Sequence, residues 1–149
     1  MSLFHVINYQ INNQNLNNFF KNSKNHLNNN CILGFDFWYT LAIRFQKLMI
    51  KLSEIKNKKI KLIKLAEPTF LSKNKIVRVK YSIIIKNLLN NTINVIRENH
   101  LMKHFTYSEL EKVFKKYGFE CLHLRELSSN RKPSKHTWGV FCLLQKIKI

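Results

Sequence analysis

The chain has 149 residues, with 45% hydrophobic and 12% aromatic side chains, which is enough for one folded domain with a core and excludes a disordered segment. A net charge of +18 attracts phosphate backbones and anionic membranes, but the lysines are scattered and the surplus of Lys, Asn and Ile is what AT-rich coding sequence produces, so a solvated basic face is favoured over a nucleic-acid surface. No stretch is long and apolar enough to span a bilayer, and Met1-Ser2-Leu3-Phe4-His5-Val6 lacks the basic start of a signal peptide, so a cytoplasmic protein is expected.

Residues 3–9 form a short apolar run that predicts a strand. Leu16, Phe19, Phe20, Ser23 and Leu27 then share one helical face, which predicts a helix over 15–27 despite the poor propensity of Asn. Asn28-Asn29-Asn30 is turn chemistry, and 31–38 is a second apolar strand ending in Asp36-Phe37-Trp38-Tyr39. Strand, helix, strand reads as a parallel unit with a right-handed crossover. Residues 41–52 fit a short helix. The stretches 58–66, 75–86 and 92–99 alternate Ile and Val with Lys, Arg or Asn, with turns at 72–74 and 87–91, and predict an antiparallel meander with one solvated face. Glu67-Pro68 interrupts or ends the first of these strands, because proline cannot donate to a ladder.

The clearest element is a helix over 106–117. Thr106 and Glu109 make a capping box, Leu110, Val113 and Phe114 make an apolar stripe, and Gly118 stands where a left-handed C-cap belongs. A strand over 120–127, a polar loop over 128–136 containing Pro133, and a continuous apolar strand over 138–144 complete the chain.

Gly34, Gly118 and Gly139 are the only glycines, and no two are close. Phosphate-gripping loops need clustered glycines so that backbone N–H groups can approach the ligand, so this chain has none. Cys31, Cys121 and Cys142 lack metal-like spacing and each lies in an apolar run, which predicts buried free thiols. His100 and His104 share an i, i+4 spacing, yet no carboxylate lies between them and a metal site is not expected. His5 falls at the carboxyl end of the first predicted strand, where open α/β sheets form their ligand crevice. A hydrogen-bonded core histidine explains it equally well. Trp38 and Tyr39 point to the same crevice and suit a small-molecule wall, or simply close the core. Glu98 beside His100 fits an acid/base pair or an exposed strand residue next to Arg97.

Taken together, Leu3-Phe4-His5-Val6 leading to Tyr9-Gln10, the helix end Lys24-Asn25-His26-Leu27 and the strand end Phe35-Asp36-Phe37-Trp38-Tyr39 resemble the fourth strand, following helix and fifth strand of class I S-adenosylmethionine (SAM)-dependent methyltransferases. Glu98-Asn99-His100-Leu101-Met102-Lys103-His104-Phe105-Thr106, Lys116-Tyr117-Gly118-Phe119, and Pro133-Ser134 followed by Thr137-Trp138-Gly139-Val140 are similar to patterns of the branch acting on small molecules, including sugar N-methyltransferases. The order of these pieces, rather than any one motif, carries the likeness, which is weakest between about residues 44 and 76.

The resemblance implies an α/β fold, the C-terminal half of a Rossmann-like methyltransferase sheet (strands 4-5-7-6), with core residues 1–43 and 100–149 and an antiparallel β-meander cap insertion at 44–99. The family's first three strands, its glycine-rich cofactor loop and its ribose-binding acidic residue have no counterpart here. Asn28-Asn29-Asn30 also stands where the family usually has Pro-Gly-Gly. Under the resemblance, Leu3 and Phe4 line the cofactor's methionine end, His5 and His100 are the candidate bases, and Trp38, Tyr39 and His104 face a small-molecule methyl acceptor. SAM is implied only if a separate N-terminal half completes the site. The fourth strand would otherwise be an open apolar edge, prone to pair with that half or with itself. A chain of this kind is expected to be inactive alone. A basic, non-enzymatic α/β module that binds nucleic acid is the competing expectation.

Overall fold

The apolar run from Ile32 to Trp38 becomes a strand with six of its seven residues buried, and the first of two structural units is built on it. In the computed structural model, which describes residues 1–71 and 75–147, the units are Met1–Lys47 with Met102–Ile149, and Leu48–Leu101. Along the chain the elements are α1 (Asn13–His26), β1 (Ile32–Trp38), α2 (Thr40–Phe45), β2 (Lys51–Lys56), β3 (Ile60–Leu71), β4 (Ile76–Asn87), β5 (Ile93–Lys103), α3 (Tyr107–Lys116), β6 (Phe119–Glu126) and β7 (Gly139–Lys146).

In the first unit, β7 lies between β1 and β6 and runs antiparallel to both. Val140, Cys142 and Leu144 form its buried face, while the alternate residues are half-covered rather than fully enclosed. Helix α1 begins where the Asn12 side chain accepts the Asn15 N–H at 2.8 Å, and it turns Leu16 and Phe20 inward. Phe20 meets Phe35, Phe114 and Phe119 at centroid separations of 5.8, 6.3 and 6.4 Å, so α1, β1, α3 and β6 share one aromatic core. The Lys146 ammonium closes α1 by donating to the carbonyls of Lys24 and Leu27 at 2.9 and 2.6 Å. Asn30 takes the left-handed conformation (φ 64°) that a glycine would take in this turn, which is why the turn survives without one. The capping box of α3 is present in full, and Gly118 is left-handed (φ 76°).

Residues 3–9 do not form the expected strand. Only Ser2 joins β1, in a parallel bridge to Phe35: its N–H donates to the Gly34 carbonyl at 2.8 Å and its carbonyl accepts the Asp36 N–H at 3.4 Å. Phe4 and His5 then turn left-handed (φ 63° and 61°), and Val6–Tyr9 winds into a 3₁₀ turn. The cause is Asp36, whose carboxylate captures the His5 N–H at 3.1 and 3.2 Å and draws the backbone out of sheet geometry. The open sheet edge therefore belongs to β1, not to a preceding strand.

The second unit is the antiparallel meander β2-β3-β4-β5. The helix expected over 41–52 is shorter: α2 ends at Phe45, and Lys51–Lys56 is strand β2, paired with β3. Strand β3 runs through Pro68 to Leu71 instead of stopping there. Its register with β2 begins at Ala66 opposite Lys51, so Pro68 lies beyond the end of β2, where one edge of β3 has no ladder to interrupt. Asn57 makes the β2–β3 turn by accepting the N–H groups of Lys59 and Ile60, both at 2.8 Å. The turn at 72–74 lies outside the described residues. Val77 and Val79 are the buried hydrophobic residues of this unit among those described.

Candidate active site

A carboxylate inside an apolar strand must find partners, because burying an unpaired charge costs several kcal/mol. Asp36 is 2% exposed, and its partner is His5. Besides accepting the backbone N–H, its Oδ2 lies 2.7 Å from His5 Nδ1, close but set off the line of an aligned hydrogen bond. The imidazole also leans on Trp38, with ring centroids 5.8 Å apart. Burial pushes the His5 pKa below its ordinary value, against the opposing charge of Asp36. At neutral pH the ring is therefore neutral. A proton on Nδ1, facing the carboxylate, leaves the Nε2 lone pair open as a base.

His5 opens onto a cleft of about 420 Å³ that Glu126, Arg131, His136 and Trp138 also line. Glu126 accepts hydrogen bonds from Ser129 and Thr137, and Arg131 Nε approaches it at 3.2 Å. The two hydroxyls, helped by Arg131, hold its carboxyl below the usual carboxylate range, so the cleft carries an ionised Glu126 paired with Arg131. Behind His5, buried Asn8 fastens the end of β1. Its Oδ1 accepts the Trp38 N–H at 3.3 Å and its Nδ2 donates to the Lys103 carbonyl at 2.6 Å.

Of the residues singled out from the sequence, the structure brings His5 and Trp38 into contact. Trp38 is 9% exposed and meets Trp138 edge-on at 5.8 Å. Tyr39 is half-buried, bridges in parallel to Phe105 and sets its ring against Phe37. His104 is 4% exposed and its Nδ1 lies 2.9 Å from Thr40 Oγ1. Leu3 is half-buried, whereas Phe4 is 88% exposed. His100 belongs to the second unit, where its Nε2 lies 3.0 Å from Glu98 Oε2 and its ring stands edge-on to Tyr81 at 5.0 Å. Among the described residues no cluster of His, Cys, Asp and Glu is arranged to hold a metal ion. Among the described residues no helix is long and apolar enough to cross a membrane.

Solved structures align with nearly all of the chain. A SAM-dependent methyltransferase from Clostridium acetobutylicum superposes with a TM-score of 0.79 over 99% of this chain and 57% of its own length, at 20% identity. An amino pentose methyltransferase from Micromonospora echinaspora, solved with SAM bound, gives 0.73 over 97% and 56% at 14% identity. A sugar N-methyltransferase from Streptoalloteichus gives 0.75 over 97% and 53% at 14% identity. The chain has the SAM-dependent methyltransferase fold. It spans just over half the length of the structures it matches. No protein-family profile and no curated protein sequence matches it.

The order β1-β7-β6 matches the 5-7-6 order that the resemblance implied, and Ser2 bridges in parallel to Phe35 on the side where a fourth strand was expected. The described residues do not fit SAM by themselves. Gly34 makes room for the Phe141 ring, since a Cβ there would lie 3.1 Å from Phe141 Cζ, and Gly139 faces Leu127 and His5. Gly118 caps α3, so none of the three glycines builds a backbone cradle for a nucleotide. Asp36, Asn8 and Glu126 escaped the sequence reading as site residues. A carboxylate in the run Ile32–Trp38 was the available signal for Asp36, whereas Glu126 needs the folded 128–137 loop to become part of the cleft.

Proposed function

We propose that this chain is the acceptor-facing part of a SAM-dependent methyltransferase acting on a small molecule, and that it does not methylate by itself. The observation carrying the reading is the superposition of 97–99% of the chain on methyltransferases, two of which are described as acting on amino or sugar substrates. His5 is the base: Asp36 orients its ring, burial keeps it neutral, and Nε2 takes a proton from an amine or hydroxyl acceptor. Trp38 and Tyr39 form the apolar wall beside it. Leu3 and Phe4 form the apolar step toward a cofactor that a glycine-rich strand-turn-helix from outside these residues would hold. His100, steadied by Glu98, is the second candidate base.

Isothermal titration of the chain with SAM tests the proposal. No heat at micromolar concentrations is expected from the chain alone, and no methyl transfer to an amino sugar. Micromolar binding by this chain would overturn the assignment of its role.

A further inference from the structure

Away from the cleft, Cys121 on β6 and Cys142 on β7 hold their Sγ atoms 3.9 Å apart. They are diagonal rather than opposite neighbours: Cys121 pairs with Leu144, Cys142 with Leu124, and β6 carries an extra residue, Leu122, before His123. Such a bulge bends its strand and re-aims the neighbouring side chains. Cys142 is 1% exposed, whereas Cys121 is only half-buried and accessible.

The surroundings divide the two thiols chemically. The neighbouring Cys142 thiol is the main cause that pushes the Cys121 pKa down to about 6, with the Tyr107 hydroxyl of α3 helping and burial and the charge of Glu111 opposing. The same contact and deeper burial push the Cys142 thiol up. While protonated, the Cys121 thiol donates to the His123 carbonyl at 3.5 Å. An accessible thiol of lowered pKa beside a sheltered thiol of raised pKa is the division of labour that thiol–disulfide exchange uses.

We propose that Cys121 and Cys142 form a dithiol site whose substrate is a small-molecule disulfide, with Cys121 attacking and Cys142 resolving. The Cys121 thiolate attacks one sulfur of RS–SR. That S–S bond breaks, a Cys121–SR bond forms and one RS⁻ leaves. Cys142, giving its proton to the departing thiolate, then attacks Cys121 Sγ and expels the second RS⁻. Two protein thiols are oxidised to one disulfide, and one small disulfide is reduced to two thiols. Closure brings the sulfurs from 3.9 Å to the roughly 2 Å of a disulfide, and the extra residue in β6 supplies slack for that movement.

The test uses the full chain with dithiobis(nitrobenzoate), followed by intact mass and peptide mapping. Release of two thionitrobenzoate ions is expected, leaving a chain lighter by two hydrogens and linked between Cys121 and Cys142, with Cys31 reacting more slowly. Cys142→Ala should stop at a single adduct on Cys121, and Cys121→Ser should slow the first release about tenfold or more. The first release should reach half its maximal rate near pH 6. Three results would overturn the proposal: Cys31 reacting first, an adduct on Cys121 that persists in the unsubstituted chain, or a rate that titrates only near the ordinary thiol value of about 8.5. If Cys142→Ala does not fold, the mass and map of the unsubstituted chain still decide.

Discussion

The two units are both rich in strands, yet they bury their side chains very differently. In the first, α1 and α3 cover the sheet, and Phe20, Phe35, Phe37, Phe114 and Phe119 are all at 0% exposure. The described part of the second contains strands only. There β2 is exposed along its whole length, and Leu52, Ile55, Leu89 and Ile93 are each more than 60% exposed. A sheet needs a second layer to bury a face, so similar strand composition gives a packed core in one unit and a displayed surface in the other. Stability should therefore be concentrated in the first unit and adaptability in the second.

The largest effect should come from Phe35→Ala, which removes a ring at the centre of the aromatic cluster. A loss of about 4 kcal/mol is expected, against a typical total of roughly 5–15 kcal/mol. Trp38 and Trp138 both lie in the first unit, so the midpoint of a urea titration followed by their fluorescence reads this directly. Asp36→Ala should cost about 2 kcal/mol in the same titration, because it strands the His5 N–H. Val79→Ala tests the other side of the comparison. Its loss of about 2 kcal/mol should appear as faster amide exchange in β3 and β4, and unchanged exchange would mean that the meander depends little on its own buried valines. Thr106→Ala removes the capping box of α3 and should lower the fluorescence midpoint by about 1 kcal/mol.

The smallest effect is one of pH. Unfolded His5 titrates near 6.5, and the folded side chain titrates lower. Between those values the unfolded state binds the proton and the folded state does not, so stability should fall as pH drops from about 6.5 through the folded value. His5→Asn, whose side chain tolerates a left-handed backbone, should flatten this dependence. Comparing urea midpoints at pH 7.5 and 5.5 checks it, and an identical slope in the variant would remove His5 as its source.

Much of the first unit was legible in the sequence because its signals are local or continuous. Thr106, Glu109 and Gly118 specify both ends of α3 within a dozen residues, and the apolar runs of β1 and β7 mark them as strands whatever their partners. What failed was decided at a distance. Residues 3–9 look extended until Asp36, 31 positions from His5, captures its backbone. Strand β2 has no buried residue to give it a pattern, and its existence comes from pairing with β3. Pro68 is tolerated because β2 ends before reaching it, which no local window reveals. The candidate cleft divides in the same way. His5 and Trp38 could be singled out from the sequence, but the Asp36 carboxylate beside His5 and the Glu126–Arg131 pair come together only through tertiary contacts.

One feature of β1 bears on every measurement made with this polypeptide. Its inner edge is fully laddered to β7, while along its outer edge, among the described residues, the backbone pairings are those of Ser2 with Gly34 and Asp36 and of the Phe105 N–H with the Trp38 carbonyl, so the open stretch is at the Ile32 end. Ile32, at that end, is 47% exposed. Such a margin is a template for any extended segment that reaches it. Protein concentration thus becomes an experimental variable: dilute and concentrated samples should differ in apparent size and in shelf life, and a soluble extended peptide in excess should narrow that difference.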